Sequence, residues 1–195
     1  MGYNGLNRTV REFGLLQPGE IMDKLNQLVI ETLQHSENSE VRDGMDMSIC
    51  SYFPKQRKLE YAGANNPLYV VIPDSRKLEE NGMELEIALH KDGLKLYEIK
   101  ATKQPIGPYY DQKPFENHLF NFEKGDSVYL FSDGFPDQFG GPKGKKFMYH
   151  RFKELLLSVQ GLNMVEQKTV FDQTIEKWKG ELEQIDDICL IGIKI

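Results

Sequence analysis

Three aspartates hold the most chemistry in this chain. Val128-Tyr129-Leu130-Phe131 is an apolar run that reads as a buried strand, and it stops in Ser132-Asp133-Gly134 with Asp137 four residues past Asp133. A second acidic point, Asp186-Asp187, immediately precedes Ile188-Cys189-Leu190-Ile191-Gly192-Ile193. That run is expected to be a strand buried on both faces. A carboxylate at the end of a buried strand is costly to place without a partner. A hard cation such as Mg²⁺ or Mn²⁺ is the natural partner for such oxygen ligands. If the two strands are neighbours, Asp133 and Asp186 converge at one end of a sheet. The alternative is that Asp133 serves a turn and Asp186-Asp187 end a loop, since Asp-Gly turns are common.

Other residues carry weaker signals. Gly140-Gly141-Pro142-Lys143-Gly144-Lys145-Lys146 suggests a phosphate loop. Its glycine-to-lysine spacing is one residue short, no Ser or Thr follows the lysine, and no βαβ context surrounds it, so it is not a P-loop. It reads as a solvated basic loop, or as a flap whose Lys143 and Lys145 greet a phosphorylated or acidic partner. Asn65-Asn66-Pro67 reads as a turn between strands, with a substrate-facing role for Asn65 and Asn66 as the alternative. Asp43 and Asp46 sit beside a strand start, Asp46 in a structural role. Met45 and Met47 read as core.

The elements that must position these residues follow from periodicity. Leu6, Val10 and Phe13 predict a helix over 3–13. Pro18 suits the first turn of a second helix, with Ile21, Leu25, Leu28, Thr32 and Leu33 as its apolar stripe, ending near His35 before a polar loop over 36–40. Strands are expected around 45–53, 59–63, 68–72, 84–90, 94–99, 115–122 and 127–131. Two helices follow, one marked by Met148, Phe152, Leu155, Leu156 and Val159. The other opens with Asn163 and Glu166 as a capping box and has Met164, Phe171, Ile175 and Trp178 on its core face. Helices, then strands, then helices, then a strand argue for an α+β fold with a mainly antiparallel sheet.

Composition excludes several classes. At 195 residues the chain is long enough for one sizeable core. A net charge of −6 carries no electrostatic footprint for nucleic acid. No run approaches the roughly 18 apolar residues of a membrane span, and no signal peptide is visible. Cys50 and Cys189, each in an apolar run, are expected to be reduced core thiols of a cytoplasmic protein. His35, His90, His118 and His150 are scattered, away from zinc-ligand spacing.

Together, Ser132-Asp133-Gly134-Phe135-x-Asp137 and, some fifty residues on, Asp186-Asp187-Ile188 resemble the metal-dependent (PPM/2C-like) protein phosphatase superfamily. Within it the chain resembles the bacterial SpoIIE-type serine phosphatases. Asp43-Gly44-Met45-Asp46-Met47-Ser48, Leu59 through Leu68, Lys103-Gln104-Pro105-Ile106-Gly107 and Lys124-Gly125-Asp126 support the likeness. The resemblance implies a single domain over 1–195, α+β, built as a PPM-like two-layered antiparallel β-sandwich flanked by helices. It implies two Mn²⁺ or Mg²⁺ ions between the sheets, activating a water that attacks a serine or threonine phosphate directly. Asp133 and Asp186 are then ligands of one metal. Asp137 matches a position that in some relatives helps hold a third, whose usual partner falls near Ala64, which has no carboxylate. The implied substrate is a phosphorylated signalling protein of the anti-sigma-factor-antagonist type.

The chain departs from the family in one respect. It opens in a helix, without the Asp-x-x-Gly-His-Gly segment that carries the bridging carboxylate, so it is expected to be the C-terminal major part of the domain, N-terminally truncated and weakly active or inactive. A non-catalytic binding module that keeps the fold but lacks a complete dimetal site is the alternative. Loss of first strands also predicts self-association as a homodimer, through the helix around Leu6 and Val10 and the sheet edge carrying Met47 and Ile49.

Overall fold

The computed structural model describes residues 2–34 and 44–195. His35, the polar loop over 36–40 and Asp43 lie outside the described residues. The chain divides into two compact units, Met1–Pro67 with Lys100–Phe122, and Leu68–Ile99 with Glu123–Ile195.

In the first unit, α1 (Gly2–Arg11) and α2 (Pro18–Gln34) precede a three-stranded antiparallel sheet. Its strands are β1 (Met47–Phe53), β2 (Lys58–Ala64) and β8 (His118–Asn121), in the order β1-β2-β8. The helix α1 stops before Phe13, and Gly14 then turns the chain at φ +67°, a conformation that costs glycine little. The stripe of α2 buries Met22, Leu25 and Val29 against Ala62, Ala64, Ile106 and Phe115, and Met45, Met47 and Ile49 pack on the same cluster. The two methionines are thus core residues. The same packing sets Met47 and Ile49 partly buried beside α2, while β1 remains an edge of its sheet. Phe115 lies outside β8, because its N–H donates to the Asp23 carboxylate at 2.9 Å instead of joining a ladder.

The second unit holds a five-stranded antiparallel sheet in the order β12-β9-β3-β7-β6. The strands are β3 (Leu68–Pro73), β6 (Ile87–Lys91), β7 (Leu94–Ile99), β9 (Ser127–Phe131) and β12 (Leu190–Lys194). Two short hairpins accompany it, β4 (Glu79–Glu80) with β5 (Met83–Glu84), and β10 (Phe139–Gly140) with β11 (Lys145–Lys146). The strand expected over 84–90 is therefore divided, β5 ending at Glu84 and β6 starting at Ile87. The helices are α3 (Gly134–Asp137), α4 (Tyr149–Ser158) and α5 (Met164–Lys179). An aromatic core of Tyr69, Phe131, Phe135 and Phe152 joins the sheet to α4, with Phe171 of α5 at its margin. Asn163 caps α5 as expected: its Oδ1 accepts from Val165 and Glu166 N–H, and Glu166 accepts from Asn163 N–H.

One strand reading is corrected. β9 is buried along its whole length, but β12 is an edge strand with Ile191 52% exposed. An apolar run alone does not separate a central strand from an edge that is covered on one side only. Cys189 is likewise corrected: it precedes β12 and is exposed. Cys50 is half-buried in β1, where burial pushes its thiol up to about 12. Among the described residues no helix is long and apolar enough to cross a membrane. The α+β class with antiparallel sheets and flanking helices stands.

Candidate functional site

Strand pairing builds the site. β9 and β12 are antiparallel neighbours in which Phe131 faces Leu190, so the chain leaves β9 toward Asp133 at the end where it enters β12 from Asp186-Asp187. Ser132 clips the two segments together. Its N–H donates to Cys189 O at 3.0 Å, its hydroxyl donates to Asp187 O at 2.7 Å, and it accepts from Cys189 N–H at 2.9 Å. Gly134 permits the approach, since a Cβ there would stand 2.5 Å from Asp187 O. The structure therefore brings the Asp133 and Asp186 segments together at one end of one sheet.

Both aspartates are exposed. Asp133 occupies the N-cap position of α3 without capping it through its side chain. Asp186 Oδ1 accepts from Asp187 N–H at 2.7 Å. Two exposed carboxylates at adjoining strand ends are a donor set that suits a hard divalent cation. Among the described residues no three His, Cys, Asp or Glu side chains cluster as a metal site.

Asp137 has a different neighbour. Its carboxylate accepts from Lys146 Nζ at 2.9 Å, across from the β10–β11 hairpin. A cation ligand there would first have to displace an ammonium. Tyr149, at the start of α4, senses the same corner. Burial first, then the charges of Asp137, Asp133 and Glu98, push its phenol up to about 12. Sequence reasoning missed Tyr149 and Lys146. Only the basic run 143–146 hinted at Lys146, and Tyr149 had no local signal.

The remaining expected residues are placed as follows. Asn65 sits at φ +60° after β2 and donates from Nδ2 to Asp46 Oδ1 at 2.7 Å. That matches a turn, with Asp46 structural. Asn66 O accepts from the Tyr61 hydroxyl at 2.7 Å. Both asparagines belong to the first unit. Lys143 and Lys145 are exposed on the hairpin. The basic segment is thus an ordered β-hairpin rather than a loose loop. Gly140 and Gly141 lie so close to Trp178 that a Cβ on Gly140 would stand 1.9 Å from Trp178 O, and one on Gly141 2.6 Å from the indole.

Comparison with known proteins adds the following. A family model described as Stage II sporulation protein E (SpoIIE) matches residues 5–195. The SiaA PP2C domain of Pseudomonas aeruginosa superposes with a TM-score of 0.77 at 24% identity, covering 100% of this chain and 67% of that one. The PP2C phosphatase domain of SpoIIE from Bacillus subtilis, solved with a fragment of its regulatory domain, gives 0.65 at 11% identity over 100% of this chain and 48% of that one. RsbX in complex with magnesium gives 0.57 at 12% identity over 98% and 71%. At these identities the likeness is one of fold. No curated protein sequence matches the chain.

Proposed function

Because the chain belongs to the SpoIIE family of PP2C-type phosphatase domains, we propose that residues 1–195 act as one domain hydrolysing phosphoserine or phosphothreonine on a signalling protein in the cytoplasm. The observation that carries this reading is the meeting of the Asp133 and Asp186 segments at the joined ends of β9 and β12. In this reading Asp133 and Asp186 hold one of two Mn²⁺ or Mg²⁺ ions. When bound, such ions lower the pKa of a water and neutralise phosphoryl oxygens in an in-line displacement.

The chain's own groups do the rest. Ser132 and Gly134 fix the spacing of the two aspartate segments. Asp137 stays tied to Lys146 and sets the charge beside the site. The side chain of Asn65 is engaged by Asp46, and Lys143 and Lys145 are the substrate-facing side chains of this proposal. The partner is a phosphorylated protein of the anti-sigma-factor-antagonist type.

Phosphate release from a phosphoserine protein of that type, in Mn²⁺ or Mg²⁺, tests the reading. Release should stop with a chelator, with Asp133→Asn and with Asp186→Asn. Undiminished release in either variant would remove the assignment. A second reading is a module that binds the phosphoprotein without turnover, since among the described residues no three His, Cys, Asp or Glu side chains cluster as a metal site. It would show as binding with no phosphate released at any Mn²⁺ concentration.

A further inference from the structure

The β10–β11 hairpin, the start of α4 and the end of α5 line an open cavity of about 600 Å³. Lys143, Lys145, Lys146 and Arg151 line it, together with Met148 and Trp178. Lys146 is neutralised by Asp137. Among the described residues no carboxylate pairs with Lys143, Lys145 or Arg151, and the Arg151 guanidinium instead lies 4.6 Å from the centre of the Trp178 ring. In a chain of net charge −6, this is a local reversal of sign over an apolar floor. Unbalanced charge of one sign in a concave site attracts and orients a partner of the other sign.

The cavity is also held in shape. Gly141 N–H donates to Trp178 O at 2.7 Å, Trp178 Nε1 donates to Gln138 O at 3.0 Å, and Phe147 packs edge-on to the indole at 5.3 Å. A site built before its ligand arrives spares the ordering that binding would otherwise require.

We propose that this cavity docks an acidic segment of a protein, with Asp or Glu side chains on Lys143, Lys145 and Arg151 and one apolar side chain on Met148 and Trp178. The inference rests on the phosphoprotein reading above for the partner's identity, and it deepens the role that reading gives Lys143 and Lys145. The volume lies in the range that admits a few side chains. A nucleic acid would call for a basic stripe running beyond one cavity, and a free anion would leave the apolar floor unused.

Trp178 is the only tryptophan of the chain, so its emission reports on this cavity without any turnover. The test titrates the 195-residue protein with a dye-labelled peptide rich in Glu and Leu, following peptide anisotropy for affinity and Trp178 emission for location. Saturable binding with a change in emission is expected, at least tenfold weaker in 300 mM than in 50 mM salt. The Lys143→Glu/Lys145→Glu variant should weaken it at least tenfold, Arg151→Glu should do the same, and Lys143→Arg/Lys145→Arg should restore it. Both lysines and Arg151 are exposed, so these changes leave the fold in place. The proposal is overturned by absence of binding, by equal affinity for a Gln-for-Glu peptide, by binding that ignores the charge reversals, or by tighter binding of an oligonucleotide. Binding of the peptide by a protein that never releases phosphate would remove the catalytic reading alone.

Discussion

The strand β9 has an aspartate at each end, and the two are treated in opposite ways. Asp126, just before the strand, is 1% exposed and saturated. It accepts from Arg76 Nη1 at 2.7 and 2.9 Å through its two oxygens, and from Glu123 N–H at 2.7 Å. Asp133, just past the strand, is exposed and lends its side chain to no helix cap. Burial demands that a carboxylate be fully paired. Exposure lifts that demand, because water solvates the charge. The same residue type is thus buried and paired at one end of the strand and exposed to solvent at the other.

The largest expected effect separates the two ends directly. Asp133→Asn and Asp186→Asn should each lower metal-dependent phosphate release about a thousandfold or more, the scale of losing a group that acts on the transition state. Their thermal stability should stay within about 0.5 kcal/mol of the parent, as for other surface substitutions. A large drop in melting temperature in either variant would mean that the fold depends on these carboxylates, and the contrast would fail.

Asp126→Ala should behave in the reverse sense. Removing the buried member of an ion pair costs about 3 kcal/mol, partly offset because Arg76 keeps Glu123 at 3.0 Å. In a domain of this size that is a fall of roughly 6–12 °C in melting temperature. Divalent-ion binding, read by calorimetry below the transition, should be unchanged.

The two thiols repeat the contrast on a smaller scale. Burial raises the Cys50 thiol to about 12, whereas Cys189 is exposed beside the aspartates. The thiolate is the reactive form, so iodoacetamide at pH 8 should modify Cys189 at least about tenfold faster than Cys50. Mapping by mass spectrometry checks this. The sign for stability follows. A thiol raised on folding contributes stability that is fully present below its ordinary value of 9.0 and lost as pH rises through about 12. Cys50→Ala should therefore flatten the alkaline limb of the stability curve.

Much of this was legible along the chain where the signal is local. The run ending in Ser132-Asp133-Gly134 marked both the strand and its acidic end, and Asn163 with Glu166 marked a helix start, because each pattern closes within a few residues. What was not legible is nonlocal. Arg76 and Asp126 are fifty residues apart. The fit of Gly140 and Gly141 against Trp178 depends on α5 returning to the hairpin, and the pairing of Asp137 with Lys146 depends on that hairpin forming. The apolar run before the C-terminus carried no sign that β12 would be an edge, since edge or centre is decided by which strands find it.

The smallest expected effect sharpens the contrast by setting two helix starts side by side. Asn163 and Asp133 both hold N-cap positions, and both are residue types suited to the task. Asn163 performs it, accepting from Val165 and Glu166 N–H at 3.0 Å each. Asp133 does not. Asn163→Ala should lower stability by about 1 kcal/mol, a shift of roughly 2–4 °C in melting temperature. Asp133→Ala should produce no comparable shift, although by cap propensity alone the two losses would be equal. Equal destabilisation by both substitutions would show that Asp133 holds α3 in place after all, and the contrast between the two helix starts would fail. Destabilisation confined to Asn163→Ala would show that α3 does not depend on its N-cap side chain, in keeping with the missing cap hydrogen bond at Asp133.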